Sequence, residues 1–190
     1  MRTPTLKAMQ SVALFCYLPL AAFGGPAYSV QVIQQPSGFS VVSIVGINNS
    51  GQVTGTANGA MSGRAFICNP SGCALIPLPS GFTQSGGETI NDSGQVAGLV
   101  STNAANSNQA FVGTISGSTV IPGLPGWIDA SAWGINASGQ VVVAGTDGVN
   151  LSSFIWTASS GIRMIPPPPG WTNVGAQGIN ASGQVTGAIF

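Results

Sequence analysis

The chain has 190 residues, which suits one domain or a short array of repeats. Only 4% of the residues are charged, none is histidine, and 44% are hydrophobic. This hydrophobic content argues against a disordered chain, and the lack of a basic patch argues against nucleic acid as a partner.

The first element is an N-terminal export signal. Arg2 and Lys7 precede an apolar run over residues 11–23, and small residues follow that run. This order is typical of a secretory signal peptide. We therefore predict a signal peptide over residues 1–27, cut after Ala27 or alternatively after Gly24, and an extracellular or periplasmic mature chain. The apolar run is shorter than the roughly 20 residues of a spanning helix, so no membrane span is expected in the mature chain.

Further along, a ten-residue motif occurs four times at nearly constant spacing, and we call this motif the decade. The copies are GINNSGQVTG from Gly46, TINDSGQVAG from Thr89, GINASGQVVV from Gly134 and GINASGQVTG from Gly178. Their starts are 43, 45 and 44 residues apart. A period of this length indicates a repeat architecture.

Each copy of this decade predicts a tight β-hairpin. In the first copy, residues 49–51 form a three-residue loop that ends in glycine, a common hairpin connection. Such a loop pairs Asn48 with Gln52. It also places Ile47 opposite Val53, and we expect that apolar pair on the buried side of the hairpin.

Two further β-prone elements follow each decade. The first contains a phenylalanine, and the second is rich in proline and leads to an aromatic residue. The phenylalanines are Phe66, Phe111 and Phe154, and the aromatic residues are Phe39, Phe82, Trp127 and Trp171. The unit thus predicts a four-stranded antiparallel meander, the size of one β-propeller blade.

The predicted fold is therefore an all-β, propeller-like array of such meanders over residues 28–190. Residues 32–39 match the last element of a unit, so the array has three full repeats and a partial repeat at each end. It is either a minimal, imperfectly closed ring or an incomplete array, and the second is favoured. An unclosed array exposes strand edges, which predicts self-association.

Cys68 and Cys73 flank an Asn-Pro-Ser-Gly turn in the first full repeat. They would face one another across a hairpin, and in an exported protein this arrangement predicts a disulfide. A metal pair would need further ligands, and a redox pair usually has CxxC spacing.

The decade, an x-Ala-Phe strand and a proline-rich strand together resemble the HAF family of probable extracellular repeats, from about Val32 to Phe190. The family is named for a His-Ala-Phe triplet. The present chain departs from it there, with Arg64, Gln109 and Ser152 in place of the histidine. The resemblance implies an exported β-repeat protein without established catalytic residues.

The composition also argues against an enzyme. The mature chain has four carboxylates and no histidine or lysine from which to build a base or a metal site. A carboxylate pair of Glu88 and Asp92 could in principle make a glycan hydrolase, but Asp92 belongs to a turn. We expect no cofactor and no metal.

The predicted function is that of an interaction module with a protein or glycan ligand. The candidate binding residues precede each decade and differ among the copies: Val45, Glu88, Trp133 and Gln177. The aromatic residues at repeat spacing are interpreted instead as core between blades. A structural surface or matrix protein without a small ligand is the alternative.

Overall fold

The computed structural model describes residues 30, 32–39, 41–59, 62–102 and 107–190. Within these ranges the secondary structure consists of fourteen β-strands. No helix in the described part of the chain is long and apolar enough to cross a membrane. The predicted signal peptide, residues 1–27, lies outside the described residues.

The strands form three four-stranded antiparallel sheets and one two-stranded sheet, each in chain order. Sheet 1 contains β1 (Val41–Ile47), β2 (Val53–Asn58), β3 (Gly63–Asn69) and β4 (Gly72–Leu75). Sheet 2 contains β5 (Gln84–Ile90), β6 (Val96–Ser101), β7 (Gln109–Thr114) and β8 (Gly117–Val120). Sheet 3 contains β9 (Asp129–Ile135), β10 (Val141–Thr146), β11 (Leu151–Thr157) and β12 (Gly161–Ile165), and sheet 4 contains β13 (Val174–Ile179) and β14 (Val185–Ile189). The all-β repeat architecture predicted from the sequence is therefore confirmed.

The hairpin predicted for the repeated decade is present in the structure. The Asn48 amide donates to the Gln52 carbonyl at 3.0 Å, and the Gly51 amide donates to the Asn48 carbonyl at 3.0 Å. Gly51 has a φ of 73°, a left-handed conformation that favours glycine. Ile47 lies opposite Val53, as the loop length requires.

The sheets stack in chain order, and the hydrophobic core lies between them. Phe111 of sheet 2 packs with Ala65 and Ile67 of sheet 1. Phe154 of sheet 3 packs in the same way with Ala110 and Ala97 of sheet 2. The phenylalanines of the second and third repeats thus fill the face of the sheet before them, which explains why this element recurs.

Residues 32–39 supply part of such a face for sheet 1. Ile33 is buried and packs against Phe66, Val53 and Ala57. The segment lies against sheet 1 as the residues after β4 lie against sheet 2, where Ile76 contacts Phe111. The sequence match of this segment to the last element of a repeat therefore has a structural counterpart.

Extensive contacts join each sheet to the next one in the chain, through the first strand of the later sheet. Among the described strands, no extensive contact joins sheet 1 to sheet 4. The structure is thus a stack of propeller-like sheets, and it does not show a closed ring.

The open stack changes the surroundings of its first isoleucine. Ile90 and Ile135 are 7% and 8% exposed because each packs against the preceding sheet. No sheet precedes Ile47 among the described residues, and Ile47 is 57% exposed. The prediction of a buried Ile–Val pair is therefore right for the inner hairpins and wrong for Ile47.

Cys68 and Cys73 lie directly opposite one another in the β3–β4 hairpin. Their sulfur atoms are at bonding distance, and the Cα atoms are 4.0 Å apart. The side chain of Asn69 closes the turn by accepting the amides of Ser71 and Gly72. The geometry is compatible with the predicted disulfide.

Candidate functional site: a row of bulge residues

The residues that vary before each decade share one backbone feature. In sheet 1, Ile44 pairs with Gly55 and Gly46 pairs with Thr54, so Val45 between them has no partner. A β-bulge of this kind leaves one residue outside the ladder and redirects its side chain. Similar bulges fall at the other three candidates, Glu88, Trp133 and Gln177.

The four bulges lie side by side because the first strands of successive sheets are neighbours in the stack. The approach is close: a Cβ atom on Gly134 would lie 3.1 Å from the Gly178 Cα and 3.4 Å from the Gln177 carbonyl oxygen. We call the line formed by these residues the bulge row: Val45, Glu88, Trp133 and Gln177.

The bulge row is accessible and chemically mixed. Val45 and Gln177 are exposed, and Trp133 is 46% exposed. Glu88 is half-buried, and burial raises the pKa of its carboxyl above the ordinary value of a glutamate. The row therefore offers an alkyl group, a carboxyl group, an indole and an amide in sequence.

Asp92, the other member of the considered carboxylate pair, serves the adjacent turn. Its carboxylate accepts the Asn49 backbone amide at 2.9 Å and the Asn49 side-chain amide at 2.8 Å. These bonds, the backbone one first, lower the pKa of the Asp92 carboxyl from its usual value. Glu88 and Asp92 thus have opposite pKa shifts, and the carboxylate of Asp92 is held by sheet 1.

A feature that the sequence did not reveal is a ladder of asparagine side chains between the sheets. The third residue of every decade is an asparagine, which we call the decade asparagine. In each of the first three decades, its side-chain amide donates to the backbone carbonyl of the decade asparagine in the next copy. The donors are Asn48, Asn91 and Asn136, and each donor–acceptor distance is 3.0 Å. The only signal for this contact was that asparagine recurs in every copy, which turn chemistry alone could explain.

The structure also contains an open cleft of about 620 Å³ between the outer parts of sheets 2 and 3. Its lining combines one indole, from Trp156, with an amide from Gln95 and hydroxyl groups from residues such as Thr119, Ser138 and Ser159. None of the lining residues is ionisable at neutral pH. Sequence reasoning missed this cleft because its residues come from four separate hairpins.

The aromatic residues at repeat spacing behave mostly as core. Phe39, Phe82 and Trp127 are half-buried, and each packs against one of the hydrophobic clusters. The Trp127 ring stacks on Phe154 with 5.4 Å between centroids. Trp171, on the proline-rich segment before sheet 4, is instead 47% exposed.

Searches against protein-family models and curated proteins found no match for the chain. In the described ranges, no group of three or more His, Cys, Asp or Glu side chains is placed to hold a metal ion.

Proposed function

We propose that the chain is an exported, non-catalytic interaction module that binds a protein or glycan ligand through the bulge row. The observation that carries this proposal is the coincidence of two independent features. The four residues that immediately precede the decade differ among the repeats, and the same four are left unpaired by the β-strand pairing; three of the four are well exposed. Bulges commonly redirect side chains at binding sites.

Export is part of the same proposal. A disulfide between Cys68 and Cys73 would persist in an oxidising compartment, which supports an extracellular or periplasmic location. The resemblance to the HAF family points the same way and stays a proposal.

The first experiment identifies a ligand and then tests the row. Residues 28–190 would be screened against glycan and protein arrays, and the affinity of a confirmed ligand would be measured for the variant Trp133→Ala. We expect at least roughly a tenfold loss of affinity, since exposed indoles are frequent anchors in binding sites. Far-UV circular dichroism and the unfolding midpoint should change little because the Trp133 side chain projects from a bulge.

Trp171→Ala is the matched control, since the exposed fractions of Trp171 and Trp133 are 47% and 46%. It removes an equally exposed indole from a different part of the stack and should leave the affinity unchanged. Equal losses for both variants, or no loss for Trp133→Ala, would contradict the role of the bulge row. A loss confined to Trp156→Ala would assign binding to the cleft instead. If neither array yields a specific ligand, this result would favour a structural surface or matrix role.

A further inference from the structure

The junctions between successive sheets repeat with the same geometry and direction. At each of the three junctions, the decade asparagine of the earlier sheet donates to the decade asparagine carbonyl of the later sheet at 3.0 Å. The first three strands of the earlier sheet also contact the first strand of the later one, as β5, β6 and β7 contact β9. Sheet 4 supplies the first two of these strands, β13 and β14. Every junction therefore has a donor face and an acceptor face.

The asparagine ladder stops at both ends of the stack. The Asn180 side-chain amide bonds Gln184 within its own turn at 2.7 Å, and no bond to a further carbonyl is found among the described residues. The Asn48 carbonyl accepts Gly51 within its own turn, and in the described ranges no asparagine side chain reaches it. Within the part of the chain that the structure describes, sheet 4 thus has a free donor face, and sheet 1 a free acceptor face.

Each free face also exposes residues whose repeat equivalents are buried. On the donor face, Thr186 is exposed, whereas its counterparts Thr54, Ala97 and Val142 are all 0% exposed. On the acceptor face, Ile47 is 57% exposed. The segment 32–39 packs against Phe66 but does not cover Ile47.

We infer that the occupant of these faces is a second copy of this chain, docked head to tail. The two strands of sheet 4 in one copy would pack against β1 of the next copy as β5 and β6 pack against β9. The two free faces carry the asparagine donor, the asparagine carbonyl and the first two strands of a junction that the chain already forms three times within itself. A contact between two different faces is heterologous and generates closed rings or filaments. Such assembly would also continue the bulge row from Gln177 of one copy to Val45 of the next.

Variants of residues 28–190 that each carry one added cysteine test the direction of this contact, with Cys68 and Cys73 retained in every variant. Within the chain, the Asn49 side chain bonds its repeat equivalent Asp92 at 2.8 Å. The residue that would meet Asn49 across the proposed contact is Ala181, and both are exposed. Under mild oxidation, a mixture of Asn49→Cys and Ala181→Cys proteins should give a cross-linked heterodimer, and neither variant alone should give a dimer at comparable yield. Ser159→Cys, on an exposed turn, mixed with Ala181→Cys is the control and should not cross-link.

Sedimentation velocity over a concentration series gives an independent readout. The weight-average mass of the unmodified chain should rise with concentration. Thr186→Lys should weaken the association roughly 100-fold or more, because it would bury an unpaired ammonium group in the contact. Its fold should be intact because Thr186 is exposed, which circular dichroism would verify.

Three outcomes would overturn the proposal. The chain could stay monomeric at all concentrations and give no mixed cross-link. The mixture could cross-link no better than each variant alone, which would indicate a symmetric contact. The double variant Asn49→Cys, Ala181→Cys could instead cross-link within one chain at high dilution, which would show closure of a single-chain ring.

Discussion

The decade asparagine combines two roles in one side chain. In the second copy, the Asn91 Oδ1 accepts the amides of Ser93 and Gln95 at 3.1 and 2.9 Å, which shapes the turn. Its Nδ2 donates to Gln95 Oε1 and to the backbone carbonyl of Asn136 in the next sheet, at 2.8 and 3.0 Å. If the Asn91 side chain were removed, each of its hydrogen-bond partners would lose a bond, and water could not easily replace it because Asn91 is buried.

Asn91→Ala should therefore lower the free energy of unfolding by roughly 2–4 kcal/mol, as several buried hydrogen bonds are lost together. Asn180→Ala is the matched control. It removes the same turn bonds, to Ser182 and Gln184, but no bond to another sheet. Its cost should be clearly smaller, about half. Urea unfolding followed by circular dichroism measures both values, and equal costs would show that the bond between sheets contributes nothing.

At the scale of the strand pair, three of the four bulges have a glycine on the strand beside them. In sheet 2 the bulged backbone of β5 bends over Gly98 of β6. A Cβ atom built there would clash with the Gly86 carbonyl oxygen and lie 3.1 Å from the Glu88 amide. Sheets 1 and 4 also have a glycine at this place, Gly55 and Gly187, while sheet 3 has Val143 opposite Ala132. The bulge at Glu88 thus depends on a missing side chain in the neighbouring strand.

Gly98→Ala should lower the free energy of unfolding of the chain by about 1–3 kcal/mol, since the methyl group must displace backbone rather than a flexible side chain. Gly117→Ala is the control, because a Cβ atom on Gly117 would have no neighbour within 4 Å. It should be close to neutral. Denaturant titration of the two variants beside the parent chain makes the comparison, and a neutral Gly98→Ala would mean that the bulge adapts without strain.

The repeated elements could be predicted from the sequence because local chemistry determines them. The loop at residues 49–51 fixes the pairing of its hairpin whatever surrounds it. The bulge itself was not predicted, although its consequence was visible, since an unpaired residue is free to vary among the copies. The exposure of Ile47 and the bond from Asn48 to the next sheet depend on which sheets are neighbours, and no residue of the decade carries that information.

At the scale of the whole molecule, stability should follow the position of a sheet in the stack. In a linear array each unit is stabilised only by its neighbours, so an end unit with one neighbour opens more easily than an inner one. Among the described strands, sheet 4 has extensive contacts with sheet 3 alone. Its strand β14 exposes Thr186, whereas Val142 in the same place on β10 is fully buried.

Hydrogen exchange of the backbone amides tests this gradient with an internal match. Within their sheets, β9 and β13 each pair only with the strand that follows them, β10 and β14, so both have the same hydrogen-bonding position. A difference between them therefore reports packing between sheets rather than pairing within a sheet. In dilute solution we expect the bonded amides of β13 to exchange at least roughly tenfold faster than those of β9. Protection of β13 that rises with protein concentration while β9 stays constant would reflect docking of a second copy on sheet 4. Equal exchange of β9 and β13 in dilute solution would contradict the gradient, because it would mean that the stack unfolds as one cooperative unit.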